Sequence, residues 1–278
     1  MKRIMTIQDI SCIGKCSLTA VLPIISAMGI ETAIVPTAVL STHTMFSGFT
    51  FRDLTDDMLP ILEHWKKEGF QFEAIYTGYL GSERQIGIVS EYFDTFKGKN
   101  TRIIVDPAMA DNGRLYSGFD DLFAARMSQL CAKADVILPN ISEAALMTGS
   151  PYPGEDASEE EIEKLLQKLS DFGAGVNVIT GTTFKDGTFG FTACDSGTGE
   201  IYRYGTPKIP HRSHGTGDIF AGTFTGALVR GFELRKALRI AADYTCACIR
   251  NTWNDPDRVN YAVNFEYEIP YLLELIRQ

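Results

Sequence analysis

The strongest constraint on the fold is the alternation of short strand-like runs with amphipathic helical patterns along nearly the whole sequence. Apolar residues in the helical segments recur at the spacing of one helix face, while the strand-like runs are rich in β-branched and aliphatic residues. This order predicts an α/β fold with a mostly parallel sheet covered by helices on both faces. Ligands of such sheets bind beyond the carboxyl ends of the strands. The predicted strands are residues 3–8, 31–40, 74–77, 102–106, 136–138 and 176–180.

Two segments do not follow this alternation of strands and helices. Residues 42–53 are rich in Gly, Phe, Thr and Ser and predict a flap over the site, whereas residues 188–205 predict an antiparallel hairpin at the sheet edge, turning at residues 196–199. The helices predicted between the strands are residues 16–28, 56–68, 82–96, 122–132, 158–172, 216–230 and 234–251.

Length, net charge and cysteine spacing limit the kinds of protein that this chain can be. A chain of 278 residues is expected to form a single domain over residues 1–278 with a modest insertion. The formal net charge of −9 argues against a nucleic-acid partner, which needs clustered Lys and Arg to neutralise phosphates. The apolar runs are shorter than a bilayer span, and the N-terminus lacks a signal-peptide pattern, so we expect a cytoplasmic protein without a membrane segment. The six cysteines show no zinc-site spacing and are expected to be free buried thiols.

The most informative motif is the glycine-rich turn Gly215-Thr216-Gly217-Asp218 before a helix rich in small residues. Its glycines allow a tight turn that points several backbone N–H groups at one spot, where the helix dipole adds positive potential. This predicts an anion hole with a carboxylate beside it, as phosphoryl transfer to an alcohol requires. Asp218 is therefore the candidate base. The alternative is that Thr or Asp only caps the start of the helix.

Two further motifs follow predicted strands. Asp106 comes at the end of a strand-like run, where a carboxylate suits Mg²⁺ or its water ligands. Asn140 and Glu143 lie three residues apart at the start of a helix, and this spacing also fits a capping box. Thr180 and Thr182 lie in a Thr-Gly-Thr sequence at the end of another predicted strand.

The Gly-Thr-Gly-Asp turn and the Pro-Asn-x-x-Glu element at residues 139–143 resemble the signatures of the ribokinase-like kinases. The resemblance implies a three-layer α/β/α sandwich and ATP as co-substrate. It also implies that Asn140 and Glu143 help to bind the ATP phosphates and hydrated Mg²⁺, with Asp106 and Glu143 as metal candidates. Residues 178–182 resemble the family segment that touches the nucleotide phosphates, which implies Thr180 or Thr182 as a nucleotide contact. Relatives commonly use a monovalent cation such as K⁺, and whether this chain requires one stays open. A homodimer is also expected from the resemblance.

Three stretches resemble the pyridoxal/pyridoxamine kinase branch: residues 39–44, the Thr-Gly-Tyr-Leu-Gly-Ser run at 77–82, and residues 106–116. The resemblance implies phosphorylation of the 5′-hydroxymethyl group of a vitamin B6 compound. It places four residues around the pyridine ring, although Tyr79 could equally be a core aromatic residue and His43 a loop hydrogen-bonding group. These four residues are His43, Thr44, Met45 and Tyr79.

One residue departs from the pattern of that branch. Many members have Ser in the Ile-Gln-Ser sequence after the first strand, whereas this chain has Asp9. We interpret Asp9 as a substrate contact that favours pyridoxamine or pyridoxine over pyridoxal, because an anionic side chain favours a cationic partner. Asp9 could instead cap the turn that follows.

Two other functions remain open from the sequence. A hydroxymethylpyrimidine (phosphate) kinase of thiamine biosynthesis would share the fold, the Gly-Thr-Gly-Asp turn and a flat heteroaromatic alcohol as substrate. A non-catalytic carrier of B6 vitamers is the alternative from another class, and the presence of Asp218 argues against it. The carrier would bind the vitamer without turning over ATP.

Overall fold

The structure is a computed structural model that describes residues 1–211 and 214–277. Strands and helices alternate, as the sequence predicts. The strands are β1 (Arg3–Ser11), β2 (Glu31–Leu40), β3 (Phe51–Asp53), β4 (Ala74–Thr77), β5 (Arg102–Val105), β6 (Ala110–Asp111), β7 (Arg114–Leu115), β8 (Val136–Ile137), β9 (Val176–Thr183), β10 (Thr188–Asp195) and β11 (Ile201–Pro207). The helices are α1 (Leu18–Ala27), α2 (Thr55–Glu68), α3 (Glu83–Phe96), α4 (Asp121–Cys131), α5 (Ile141–Met147), α6 (Glu159–Ser170), α7 (Thr216–Arg230), α8 (Leu234–Asn254) and α9 (Ile269–Leu275).

The chain divides into two compact units. The first, which we call the terminal unit, comprises Met1–Ala74 and Lys208–Gln278, and the second, the central unit, is Ile75–Pro207. Both units contain strands and helices in alternation. The single kinase domain over residues 1–278 stays a prediction.

In the terminal unit, β1 pairs in parallel with β2, and the short β3 pairs antiparallel with β2. Most residues of β1 are buried, as expected for a strand covered on both faces. Helix α1 packs against α7, where Gly222 lies opposite Val21 and Gly226 lies opposite Met28. A Cβ atom at Gly226 would overlap the Met28 sulfur, so the small residues of α7 allow the two helices to approach closely.

The first strand and helix differ from their predicted bounds. β1 continues to Ser11, and α1 begins at Leu18 instead of residue 16. The reason is the segment between them, in which Gly14, Lys15 and Ser17 all have positive φ angles that a regular helix cannot accommodate. Because Lys and Ser rarely adopt this conformation, the sequence does not reveal it.

In the central unit, β5, β8 and β9 pair in parallel, and β10 and β11 form the predicted antiparallel hairpin beside β9. β9 extends to Thr183, beyond its predicted end at residue 180. Gly181 has φ +79° and lies at a shift in the β9–β10 register, where Thr180 pairs with Phe191 and Thr182 with Gly190. A β-bulge therefore replaces the expected strand end.

Within residues 1–211 and 214–277, no helix is both long and apolar enough to cross a bilayer.

All six cysteines are free thiols, as expected. Five are buried, but the prediction of burial is wrong for Cys12, which is exposed in the connection between β1 and α1.

We expect Gly190→Ala to destabilise the protein by about 1–3 kcal/mol, because a Cβ atom there would overlap the Tyr204 carbonyl oxygen across the hairpin. The matched control is Gly87→Ala in α3, where nothing lies within 4 Å of the added carbon. That substitution should instead stabilise by roughly 0.5–1 kcal/mol, because alanine loses less backbone entropy in a helix. Chemical denaturation of both variants measures the difference, and equal free energies of unfolding would contradict the close β10–β11 approach.

Candidate functional site

The glycine-rich turn forms the start of α7 in the terminal unit. Gly215 is the N-cap residue with φ +85°, and Thr216, Gly217 and Asp218 form the first helical turn. The backbone N–H groups of a first turn have no partner within the helix and face outward from its end. Because the N-cap residue is a glycine, neither Thr216 nor Asp218 caps this helix. The backbone therefore has the arrangement of an anion hole.

Glycine at position 215 is required by the segment that packs on the turn. A Cβ atom there would overlap the carbonyl oxygen of Lys15 and lie 3.3 Å from the Cβ atom of Cys16. The positive φ angle also disfavours other residues. The connection between β1 and α1 thus lies directly against the start of α7.

This connection has an unusual backbone. Lys15 has φ 50°, and Ser17 has φ 48° with ψ −135°, a combination that few residues other than glycine adopt. Such a conformation costs about 1–3 kcal/mol and persists only where the surroundings enforce it. The backbone N–H of Ser17 lowers the pKa of Asp218, and the Ser17 hydroxyl lowers the pKa of Asp9. The strained serine therefore lies near both acidic groups.

The electrostatics of Asp218 suit a proton acceptor. The residue as a whole is half-buried, but its carboxyl group is enclosed by protein. Burial raises the pKa of Asp218 from 3.8 to about 7, the Ser17 N–H opposes this rise, and the negative charge of Asp9 adds to it. A carboxyl group with this pKa can change its protonation state near neutral pH.

Asp9 is buried in β1, 3% exposed, at the point where the register between β1 and β2 shifts. Its carboxylate accepts a hydrogen bond from the Ser11 hydroxyl at 2.9 Å, and the Ser17 hydroxyl and the Asp9 backbone N–H are further donor groups near it. Burial raises the pKa of Asp9, and these donors oppose the rise. The sequence predicted Asp9 as a contact but gave no indication of the two serines.

The Cys16 thiol lies close enough to both carboxylates to feel their charge. Burial, followed by the negative charges of Asp218 and Asp9, raises the pKa of Cys16 to about 12. The thiol is therefore protonated at neutral pH and does not supply a thiolate nucleophile.

His43, near the start of the predicted flap, has hydrogen-bond partners at both nitrogens of its ring. His43 is 6% exposed, its Nε2 lies 2.9 Å from the Tyr261 carbonyl oxygen, and its Nδ1 accepts the backbone N–H of Met45 at 3.2 Å. This pair of contacts fits the tautomer with its proton on Nε2. A Cβ atom at Gly14 would overlap the imidazole ring, so the glycine leaves room for it.

The remaining flap candidates lie further out. Thr44 is exposed, and the Met45 side chain is 54% exposed. The His43 ring also stacks on His214 beside the glycine-rich turn, with ring centroids 5.1 Å apart. Two of the predicted substrate contacts, His43 and Asp9, therefore lie near the turn that carries Asp218. They also lie near each other, because a positive charge on His43 would lower the pKa of Asp9.

The other site candidates belong to the central unit. Asp106 directly follows β5 and is half-buried, and its backbone N–H donates to the Thr77 carbonyl oxygen at 3.0 Å. Tyr79 follows β4 and stacks on Phe119, with ring centroids 5.6 Å apart. Phe119 lies outside every predicted motif, so the sequence gave no signal for this aromatic pair.

Asn140 and Glu143 form the capping box that their spacing allows. The Asn140 side chain accepts the Glu143 N–H at 2.9 Å, and the Glu143 carboxylate accepts the Asn140 N–H at 2.8 Å. The second oxygen of Glu143 accepts the backbone N–H groups of Met109, at 3.1 Å, and Ala110. Burial raises the pKa of Glu143, while these backbone donors oppose the rise. The carboxylate thus joins α5 to the loop after β5.

The two threonines of β9 differ in exposure. Thr180 is half-buried, and its N–H donates to the Pro139 carbonyl oxygen at 2.9 Å, beside the capping box. Thr182 is 1% exposed, and its hydroxyl lies 3.4 Å from the Thr192 hydroxyl. The accessible threonine of the pair is therefore Thr180.

The described part of the chain contains no group of three or more His, Cys, Asp or Glu side chains that could hold a metal ion. Mg²⁺ is usually bound by one or two carboxylates together with water and substrate phosphates. A half-buried carboxylate at the end of a strand, as in Asp106, fits this manner of binding. Glu143 has both oxygens engaged by backbone donors, so it fits contact through water better than direct ligation.

We expect Asp218→Asn to stabilise the protein by about 1–4 kcal/mol at pH 8 and by less at pH 5. Between pH 3.8 and about 7 the folded state keeps the Asp218 proton that the unfolded chain releases, so the stability due to this group falls as pH rises. Asparagine cannot ionise, so the variant does not lose this stability as the pH rises. Chemical denaturation at both pH values tests this, with exposed Asp257→Asn as the control; an equal gain at the two pH values would contradict a buried, protonatable Asp218.

Comparison with known proteins identifies the relatives of this chain. A family model described as phosphomethylpyrimidine kinase matches residues 4–262. A Bacteroides thetaiotaomicron protein, provisionally assigned as a phosphomethylpyrimidine kinase and crystallised with pyridoxal, is 39% identical, with TM-score 0.91 over 98% of this chain and 95% of that chain. Pyridoxal kinase from Lactobacillus plantarum is 32% identical, with TM-score 0.89 over 99% of this chain and 98% of that chain. Hydroxymethylpyrimidine/phosphomethylpyrimidine kinase from Rhizobium meliloti is 27% identical over 85% of this chain and 86% of that protein.

These matches confirm the predicted α/β fold class and the resemblance to pyridoxal kinase-like members of the ribokinase-like superfamily. The relatives are named for two kinds of substrate, B6 compounds and hydroxymethylpyrimidine. Because the family model covers nearly the whole sequence, the chain belongs to the phosphomethylpyrimidine kinase family.

Proposed function

We propose that this protein transfers the γ-phosphoryl group of ATP to the 5′-hydroxymethyl group of a vitamin B6 compound. The observation that carries the proposal is the enclosed Asp218 carboxyl group, with its pKa raised to about 7, in the first turn of a helix that begins with a glycine-rich anion hole. A proton acceptor beside backbone N–H donors is what phosphoryl transfer to an alcohol requires. The pyridoxal in the crystal of the Bacteroides relative supports the choice of a B6 compound.

In this proposal Asp218 orients the substrate hydroxyl and accepts its proton as the oxygen attacks the γ-phosphorus. The raised pKa makes the carboxylate a better acceptor than an ordinary aspartate while leaving it largely ionised above pH 7. The N–H groups of Thr216 and Gly217, with the positive end of the α7 dipole, stabilise the charge on the phosphoryl oxygens.

For the nucleotide, we propose Asp106, Asn140, Glu143, Thr180 and Thr182 as contacts. Magnesium, when bound, neutralises charge on the phosphates. Asp106 would hold it directly or through water, and Glu143 through water. The capping box keeps Asn140 and the loop after β5 in place, and the accessible Thr180 beside it is the better placed threonine for a phosphate contact. Buried Thr182 would act by supporting Thr180.

For the B6 compound, we propose contacts with Asp9, His43, Thr44, Met45 and Tyr79. Both ring nitrogens of His43 already bond within the protein, so its contribution would be the face or edge of its ring. Tyr79 would contribute an aromatic face backed by Phe119. Homodimer formation stays a prediction.

The first experiment measures ADP formation from MgATP with pyridoxal, pyridoxine, pyridoxamine and hydroxymethylpyrimidine, using native protein and Asp218→Ala. We expect turnover with a B6 vitamer and a loss of about 100-fold or more in the variant, because a positioned base contributes at least that much.

The alternatives give other results in the same assay. Turnover with hydroxymethylpyrimidine alone would favour the function named for the Rhizobium relative. Binding of a vitamer without ADP formation would favour a carrier. Turnover that survives Asp218→Ala would contradict the role of Asp218.

The second experiment tests Asp9 as a determinant of vitamer choice. We expect Asp9→Ser to raise kcat/KM for pyridoxal relative to pyridoxamine about tenfold, because a charge-assisted hydrogen bond to a cationic group is lost. Asp9→Asn is the matched control, since it keeps the shape of the side chain and removes only the charge. An unchanged ratio in both variants would show that Asp9 does not select the vitamer.

A further inference from the structure

Residues 261–266, which we call the C-terminal segment, follow α8 and are fixed to it. The four residues in the middle of the segment are buried. The Tyr244 hydroxyl of α8 donates to the Phe265 carbonyl oxygen at 3.0 Å, and the Asn264 N–H donates to the Thr252 hydroxyl at 2.8 Å. Buried hydrogen bonds of this kind give the segment a defined position on the helix.

The Asn264 side chain joins two charged groups. Its Nδ2 donates to the Asp255 carboxylate at 2.9 Å, and its Oδ1 accepts a hydrogen bond from the Lys15 ammonium at 3.2 Å. A carboxylate accepts and an ammonium donates, so these two partners determine which way the amide faces. Asn264 is 8% exposed, and it therefore presents a fixed acceptor to Lys15.

Lys15 is held by the C-terminal segment although 249 residues separate it from Asn264. Its ammonium also bonds to the Glu266 carboxylate at 3.0 Å. The backbone of Lys15 has φ 50°, a conformation that a lysine rarely adopts and that persists where the surroundings enforce it. The two bonds of the ammonium help to keep the residue in that conformation.

The backbone of the same lysine shapes the glycine-rich turn. The Lys15 carbonyl oxygen lies where a Cβ atom of residue 215 would stand, so the turn packs directly against it. The side chain of Lys15 thus contacts the C-terminal segment, while its carbonyl group contacts the start of α7.

We propose that Lys15 is a positioning residue whose ammonium, held by Asn264 and Glu266, fixes the β1–α1 connection against the glycine-rich turn. The inference rests on the proposed kinase function, in which the N–H groups of that turn stabilise the transferred phosphoryl group. It gives the C-terminal segment a part in the reaction, although none of its residues is a candidate contact for substrate or nucleotide.

A separate contact of the segment concerns the flap. The Tyr261 carbonyl oxygen accepts a hydrogen bond from His43 at 2.9 Å, and the Tyr261 ring packs on Phe46 with ring centroids 5.0 Å apart. Removal of the Lys15 ammonium leaves these contacts in place. We therefore expect it to affect the transfer step more than the affinity for the vitamer.

The first test is Lys15→Met, which keeps the length of the side chain and removes the ammonium. We expect kcat with MgATP and the B6 vitamer that native protein uses best to fall about tenfold or more, with KM for the vitamer changed by less than about twofold. The Lys15 and Glu266 side chains are 34% and 46% exposed, so their pairing adds little stability. The melting temperature should therefore fall by no more than about 4 °C.

Two further variants serve as controls for this substitution. Lys15→Arg keeps donors for both partners and should retain most of the native kcat. Lys133→Met removes a comparably exposed lysine that pairs with Asp94 in the central unit, and it should leave kcat unchanged. A fall in melting temperature without a fall in kcat in Lys15→Met would show a merely structural role and contradict the inference.

Asn264→Leu separates positioning from direct contact of Lys15 with a phosphate, because it leaves the ammonium and removes its acceptor. Positioning predicts a fall in kcat in this variant too, and a double variant with Lys15→Met that is no worse than the more impaired single variant. Native kcat in Asn264→Leu would overturn the inference. Glu266→Ala, at an exposed position, makes the same comparison if the buried substitution does not fold.

Amide hydrogen exchange measures the turn without any need for turnover. We expect a peptide covering residues 215–224 to exchange about threefold faster or more in Lys15→Met than in native protein or Lys133→Met, because the start of α7 loses its fixed neighbour. Equal exchange in the three proteins would refute the inference whether or not a vitamer is phosphorylated. Faster exchange in a protein that phosphorylates no vitamer would support the anchoring by Lys15 and overturn only the proposed kinase function.

Discussion

The terminal unit depends on the close approach of the Lys15 carbonyl oxygen to Gly215. This contact leaves no room for a side chain at 215, so it determines the residue that begins α7. It also brings the β1–α1 connection close enough for the Ser17 N–H to lower the pKa of Asp218. The glycine-rich turn is thus shaped by a backbone contact between segments about 200 residues apart in the sequence.

Two enclosed carboxyl groups near one another lower the free energy of unfolding, because burial and mutual repulsion disfavour their charged forms. Donor groups near Asp9 and the Ser17 N–H near Asp218 oppose the rise in pKa that burial causes. With its pKa raised to about 7, Asp218 can exchange its proton near neutral pH. Stability is lower as a result, which is common where a protein keeps a charged group ready for chemistry.

The sequence predicts most of this architecture because periodic patterns determine strands and helices. The bounds of β2, β4 and α7 agree with the predicted ranges, and the edge hairpin forms as expected. The glycine-rich turn at the start of α7 could be predicted because it depends on glycines within one short motif. The capping box of Asn140 and Glu143 was also visible from spacing, although its bonds to Met109 and Ala110 were not.

What the sequence does not reveal depends on contacts between distant residues. Nothing in the residue type of Ser17 predicts a positive φ angle, since the surrounding packing imposes it. Likewise, the bulge at Gly181 reads locally as a turn and becomes part of a strand only through pairing with β10. These positions are the ones where tertiary structure overrides local preference.

The anchoring of His43 has a consequence for the dynamics of the segment around it. Its ring is bonded at both nitrogens and lies over Gly14, so this end of the loop is fixed to the body of the terminal unit, while Thr44 and Met45 are exposed. The other end is held as well, because Thr50 bonds to Ser41 and β3 pairs with β2. Any rearrangement of the segment is therefore confined to the few residues between these two attachments.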